Sequence, residues 1–345
     1  MEPFTIEPAQ ASHRRDWVGA IVTQEVRQDG QRLFTKGQRL VPGDFDALAS
    51  LTEAIHAVRL TEDEVHEDIA GRRLAEAIAG ENLKIRGPAQ SRYNLAATIK
   101  GLLRVDAGGV IAANLLPGIA VFTMQDRLVV LPGKVVTGAK IAPVAIPEAT
   151  LHQVEDQTRG KPLVRVVPFL PLTVGVITTE QLTGRPRERF QTSVEQKIGW
   201  YGGTLLRLEI VASDPALVAA AMSAMIDEGA DLILTAGGNT IDPIDPTFLA
   251  LTRIGAEIVR FGAPTHPGSM FWLAYRGPIP VFNLASCSMY SKSTVADLVL
   301  PWIMTGEVVG NRQLAELGYG GLLDRGMGFR FPPYGAHQAD SKDEL

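Results

Sequence analysis

The chain has 345 residues, with 33 Lys and Arg against 38 Asp and Glu, and a formal charge of −5. Hydrophobic residues make up 46 % and charged residues 21 %, a globular balance that excludes a disordered chain. The one cysteine, Cys287, excludes a disulfide framework and a cysteine-ligated zinc or iron–sulfur site within one chain, and the acidity gives no basic field for nucleic acid or anionic lipid.

The start, Met1 to Glu7, has no basic segment followed by an apolar run, so no secretory signal is expected. Residues 18–41 hold two short apolar runs around Asp29-Gly30, which predicts a hairpin. The charge run Thr61 to Asp68 contains His66 and precedes a helical pattern reaching Ala79. It reads as an acidic first turn favoured by the helix dipole, with a carboxylate–histidine metal site as the alternative.

The longest stretch without formal charge, Ala107 to Gln125, holds Asn114, Pro117 and three glycines. That composition predicts a buried strand–turn–strand segment and no membrane span. Dense β-branched residues broken by Pro and Gly continue to Pro147 and predict short strands. Residues 1–165 therefore read as a β-rich α+β region, either undivided or as two small subdomains of about 1–85 and 86–165.

The pattern changes near residue 165. Strands are expected at Leu172–Thr178, Thr204–Ala212, Asp231–Thr235, Ala256–Phe261 and Ile279–Phe282. Helices are expected at about Pro186–Trp200, from Asp214-Pro215 to near Gly229, at Pro246–Ile254 and at Tyr290–Thr305. Alternating strands and helices predict an α/β domain over 166–330 with a mostly parallel sheet covered on both faces. Residues 331–345 read as a polar tail. Its last four residues, Lys342-Asp343-Glu344-Leu345, spell a retention signal that acts only in the secretory pathway, so it is read as chance and a cytoplasmic protein is expected.

Ligands of such sheets bind at the carboxyl ends of the strands. Three loops leave those ends: Thr178 to Leu182, Thr235 to Asp245, and Asn283 to Ser288. In the second, Gly237 and Gly238 let backbone approach a ligand, and Asn239 and Thr240 offer hydrogen bonds. Asp242 and Asp245 could share a cation or position water. The same loop also reads as a tight strand-to-helix connection in which Asp245 caps the helix at Pro246. Cys287 reads as a small buried side chain or as a soft thiolate in the third loop. Arg185, Arg187 and Arg189 read as a solvated helix start or as a contact for a nucleotide or pyrophosphate.

Taken together, the loops resemble the molybdopterin-binding domain of the MoeA and MogA/MoaB proteins. Where that family has Thr-Gly-Asp-Glu-Leu, the chain has Thr178-Thr179-Glu180-Gln181-Leu182. Where it has Gly-Gly-x-Ser-x-Gly-x-x-Asp, the chain runs from Gly237 to Asp245, with Thr240 at the serine and Asp242 at the third glycine. Its Lys-Pro-Gly-Lys-Pro segment matches His266-Pro267-Gly268-Ser269-Met270, and its Leu-Pro-Gly-Asn-Pro loop matches Leu284-Ala285-Ser286-Cys287-Ser288. The β-rich first part and the Leu317–Leu323 tail resemble a MoeA-like subgroup found in bacteria with molybdenum hydroxylases.

The resemblance implies a three-layer α/β/α MogA-like domain and a role in molybdenum-cofactor synthesis. It implies molybdopterin, adenylylated in the MoeA reaction, with molybdate and Mg2+. Thr178, Gly237, Gly238, Asn239, Thr240, His266, Pro267, Gly268, Ser286, Cys287 and Ser288 would then contact the cofactor. Glu180, Asp242 and Asp245 would be catalytic, and Asp242 and Asp245 would hold the metal. A homo-oligomer is implied, with a molybdenum hydroxylase or another cofactor-synthesis protein as partner. Two other functions fit the pattern: a non-catalytic carrier or maturation factor, and a CinA-like nucleotide pyrophosphatase.

Overall fold

The computed structural model describes residues 1–8, 15–89, 91–237, 242–284 and 294–334. The chain divides into two compact units. One comprises Met1–Ile99, Leu103–Asp126 and Val130–Val166; the other comprises Lys100–Leu102, Arg127–Val129 and the residues from Val167 onward. No helix among the described residues is long and apolar enough to cross a membrane.

In the first unit, Glu2–Ile6 and Ile21–Val22 pair antiparallel with the two edges of Ile55–Arg59. The expected hairpin joins Val26–Gln28 to Gln31–Phe34. Its turn residues Asp29 and Gly30 have φ of 51° and 77°, the left-handed pair of a two-residue hairpin turn. Farther along, Ile119–Thr123, Val135–Ile141, Arg92–Ala97 and Leu83–Ala89 form an antiparallel sheet in that order. Helix Glu67–Ile78 buries Ala70, Leu74 and Ile78 in a core shared with Leu95, Val121 and Ala139.

Only the end of the charge run starts that helix: Glu64–His66 is a short strand, and Glu67 and Asp68 form the acidic first turn. His66 Nδ1 accepts the Asp68 N–H at 3.2 Å, and its Nε2 lies 2.8 Å from the Gly37 carbonyl. Both ring nitrogens are thereby spent on backbone.

Residues 107–125 correct the strand–turn–strand expectation. Ala107–Asn114 is a helix, and only Ile119–Thr123 is a strand. Asp106 caps the helix by accepting the Gly109 N–H at 3.0 Å. At its end the Asn114 side chain exchanges two hydrogen bonds of 2.7 Å with the Val121 backbone. A capping aspartate and a terminal asparagine overrode the glycine and valine content.

The second unit holds strands β1 (Thr173–Thr178), β2 (Thr204–Ile210), β3 (Leu232–Ala236), β4 (Glu257–Phe261), β5 (Trp272–Arg276) and β6 (Ile279–Leu284). Its helices are α1 (Gly184–Trp200), α2 (Pro215–Asp227), α3 (Pro246–Arg253), α4 (Val295–Ile303) and α5 (Asn311–Glu316). The sheet order is β2-β1-β3-β6-β5-β4. β1 pairs parallel with β2 and β3, and β3 pairs parallel with β6. The sequence reading lacks β5, which runs antiparallel between β4 and β6.

Alternate residues of these strands enter different cores, as a pleated strand requires. Val174, Val176, Leu232, Leu234 and Phe282 pack with α1 and α4. Ile177, Ile233 and Val281 pack with α2 and α3. The helix starts follow their capping signals. Asp214 accepts the Ala216 and Leu217 N–H groups ahead of Pro215, and Thr294 and Asp297 form a reciprocal capping box on α4. Phe331 joins the core of this unit, and the Tyr334 hydroxyl lies 3.0 Å from that of Tyr201.

Candidate functional site

Four connections meet the carboxyl edge of the sheet. β1, β3 and β6 end there because they are parallel. β4 ends there as well, since two antiparallel steps through β5 restore the direction of β6. The segment 262–271 after β4 therefore shares the edge with the segments after β1, β3 and β6. The strand assignments made from sequence left this fourth connection out because they lacked β5.

The chain reverses its order between β1 and β3. The connection from β1 leads into α1 of one core and the connection from β3 into α3 of the other. Such a reversal opens a crevice at the carboxyl edge, the usual ligand position in open α/β sheets. Glu180 and Gly237 meet at this point. A Cβ on Gly237, whose φ is +83°, would come within 2.5 Å of Glu180 Cγ. Only glycine therefore lets the two turns pack. The Glu180 N–H donates to Thr178 Oγ1 at 3.2 Å, and Gln181 Nε2 donates to the Val211 carbonyl at 3.1 Å. Thr178 itself is fully buried.

The aspartates of the second loop have structural partners. Asp245 is 7 % exposed and caps α3, with its Oδ1 accepting the Thr247 N–H at 2.9 Å. Asp242 Oδ1 accepts the Ile244 N–H at 3.0 Å, and the Asp242 carbonyl accepts the Asp245 N–H at 3.0 Å. Each carboxylate thus commits an oxygen to backbone. Among the described residues, no group of three or more His, Cys, Asp or Glu comes together to hold a metal ion.

His266 sits in the 262–271 segment and is exposed. Its N–H donates to the Gly321 carbonyl and its carbonyl accepts the Leu323 N–H, both at 2.8 Å. Gly268 packs on the start of α4, where an added Cβ would lie 3.0 Å from Val295 Cγ1. Asn283, 2 % exposed at the end of β6, holds the far end of the segment. Its Oδ1 accepts the Trp272 N–H at 2.8 Å and its Nδ2 donates to the Met270 carbonyl at 3.1 Å. Sequence reasoning placed Asn283 in a loop and gave it no such role; a buried amide at a strand end is the signal that it bridges neighbours.

The structure thus brings Thr178, Glu180, Gly237, Asp242, Asp245, His266, Pro267 and Gly268 to one sheet edge. Gly238, Asn239, Thr240, Ser286, Cys287 and Ser288 lie outside the described residues.

Beneath the edge, Lys197 Nζ donates to Asp297 Oδ1 at 2.7 Å, and both side chains are almost fully buried. Asp297 Oδ2 also accepts the Thr294 hydroxyl at 2.9 Å. Burial pushes the Tyr201 and Tyr334 hydroxyls well above the ordinary phenol pKa. The two hydroxyls lie 3.0 Å apart, and either can donate to the other.

No family model and no curated sequence matches the chain. Solved structures are similar to it. One described as molybdenum cofactor biosynthesis protein B matches 39 % of this chain and 96 % of its own, at 22 % identity and a TM-score of 0.33. The molybdopterin biosynthesis moea protein of Pyrococcus horikosii matches 65 % of this chain and 69 % of its own, at 13 % identity and a TM-score of 0.30. A MogA structure matches 38 % of this chain and 92 % of its own, at 21 % identity and a TM-score of 0.27.

Proposed function

We propose that the second unit binds molybdopterin at the carboxyl edge of its sheet and acts in molybdenum-cofactor synthesis. The observation that carries this reading is the meeting of the Glu180 turn with the Gly237 turn where the strand order reverses. The His266 segment lies on the same edge, in the motif order that the sequence shares with the MoeA and MogA/MoaB domain. In this reading the unit is a three-layer α/β/α domain. Backbone amides around Gly237 and Gly238 take the phosphate, as exposed amides before a helix do.

Holding the cofactor fits the site better than turning it over. Asp245, the family's final aspartate, is committed to the Thr247 N–H as a helix cap. A carrier or maturation factor for a molybdenum hydroxylase, working as a homo-oligomer, is the form of the proposal this favours. Molybdate insertion, with Glu180, Asp242 and Asp245 acting on adenylylated molybdopterin, is the second form.

The two separate in one experiment. The full chain is incubated with adenylylated molybdopterin, molybdate and magnesium, and both retained pterin and free AMP are measured. Retained pterin without AMP is the expected result. The Asp245→Asn variant keeps a good capping residue and removes the charge; its retention should stay within about twofold, since only a cap is being exchanged for a cap. AMP release that vanishes in Asp245→Asn would replace the carrier by the transferase. Turnover of ADP-ribose with no pterin retained would replace both by a nucleotide pyrophosphatase.

A further inference from the structure

In the first unit, the sheet strands Leu83–Ala89, Arg92–Ala97, Val135–Ile141 and Ile119–Thr123 contain no Asp or Glu. Their basic residues are Lys84, Arg86, Arg92 and Lys140. The register puts all of them on one face. Arg86 stands opposite Asn94, Asn94 opposite Gly138, and Gly138 opposite Phe122. Two positions along, Arg92 stands opposite Lys140; two positions the other way from Arg86, Lys84 shares the face. The opposite face carries Tyr93, Leu95, Ala139 and Val121 and packs with helix Glu67–Ile78. The basic face therefore looks to solvent, with Lys84 and Arg86 exposed and Arg92 and Lys140 half-buried.

This grouping works against the fold. Directly opposite residues of an antiparallel pair have Cβ atoms about 5 Å apart, and like charges there are destabilising. Arg92 and Lys140 are such a pair. Among the described residues, no ion pair or side-chain hydrogen bond of the four basic residues offsets the repulsion. Lys84 and Arg86 lie on an edge strand, where charges serve to prevent pairing with other chains. Arg92 and Lys140 have no such use, because their strands have neighbours on both sides.

The Phe122 ring lies across Gly138 so closely that no Cβ would fit beneath it, and 47 % of Phe122 remains exposed. Aromatic and arginine side chains are the usual anchors of protein interfaces. A nucleic acid suits the face less well. Single strands stack successive bases on several rings, and the other aromatic of these strands, Tyr93, faces the core. A long polyanion would also meet the net charge of −5, which a short acidic segment confined to the face would not.

We propose that this sheet face docks an acidic segment of a partner protein. Its carboxylates pair with Arg86, Arg92 and Lys140, and an apolar side chain rests on the Phe122 ring. The proposal concerns the first unit alone and stands whether or not the second unit binds a pterin.

The test titrates the full chain against a fluorescein-labelled peptide of alternating glutamate and leucine, read by anisotropy. The wild type should bind it with an affinity that falls as salt rises, and should not bind the same peptide with glutamine in place of glutamate. The double variant Arg92→Gln, Lys140→Gln should bind about tenfold more weakly, the worth of two exposed ion pairs. Arg253→Gln, which removes an exposed cation from the second unit, should bind as the wild type does. Lys140→Glu should abolish binding while its thermal midpoint stays the same or rises, since an opposite charge then faces Arg92. No saturable binding by the wild type at millimolar peptide, or equal affinity in the double variant, would overturn the docking face. So would a lowered midpoint in Lys140→Glu, because the lysine would then be serving the fold. Tighter binding of an oligothymidylate or of phosphatidylserine vesicles than of the peptide would overturn it too, replacing the acidic segment by a nucleic acid or a membrane.

Discussion

Asp297 and Glu67 are both 1 % exposed, and both lie in the first turn of a helix, one in each unit. Asp297 accepts from Lys197 and from the Thr294 backbone and hydroxyl. Neither oxygen of Glu67 meets a donor at hydrogen-bonding geometry among the described residues. Burial pushes the Glu67 carboxyl above its ordinary range, and the Ser91 hydroxyl and the charge of Lys36 only partly offset this, with Asp68 adding to the rise. The same kind of residue is therefore a saturated anchor in one unit and an unpaid charge in the other. Asp297 anchors the start of α4, against which the His266 segment packs. Burial of Glu67 disfavours its charged form.

The largest effect should come from turning the anchor into its counterpart. Lys197→Met leaves Asp297 buried without its cation and should cost about 3–5 kcal/mol in denaturant unfolding. A loss under about 1 kcal/mol, the value of an exposed pair, would show that the pair is hydrated and not buried. Next is Glu67→Gln. A raised carboxyl contributes stability below the unfolded pKa and loses it as pH rises through the folded pKa. Wild type should therefore fall behind Glu67→Gln as pH rises above the ordinary carboxylate range, by about 1.4 kcal/mol for each unit of the rise. Unfolding curves that stay parallel from acid to neutral pH would break the comparison from the other side. The smallest effect is expected at a third helix start. Asp245→Ala should cost about 1 kcal/mol, the value of one N-cap, and Asp245→Asn almost nothing. A large loss in Asp245→Asn would mean that its charge, and not its cap, is what the fold uses.

Much of the second unit was legible because its signals are local. Asp214-Pro215 and Asp245-Pro246 announce capped helices, and the buried runs at 172–178 and 231–235 announce strands. The hairpin at Asp29-Gly30 was legible for the same reason. The helix at 107–114 was hidden because Gly108, Gly109, Val110 and Ile111 score against a helix, while its cap lies one residue before the run. Strand β5 was hidden because Trp272 to Ala274 are all buried, which erases the alternation of a half-exposed strand. The motif residues at 178–182, 237 and 266–268 were readable by resemblance, but their convergence depends on the antiparallel detour through β5.

The most direct test of the proposed molybdopterin binding is to purify the full chain from cells that make molybdopterin, oxidise it, and read the fluorescence of the released pterin against the protein. Pterin in stoichiometric amount is the expected result. Wild-type protein carrying no pterin under saturating supply would contradict it.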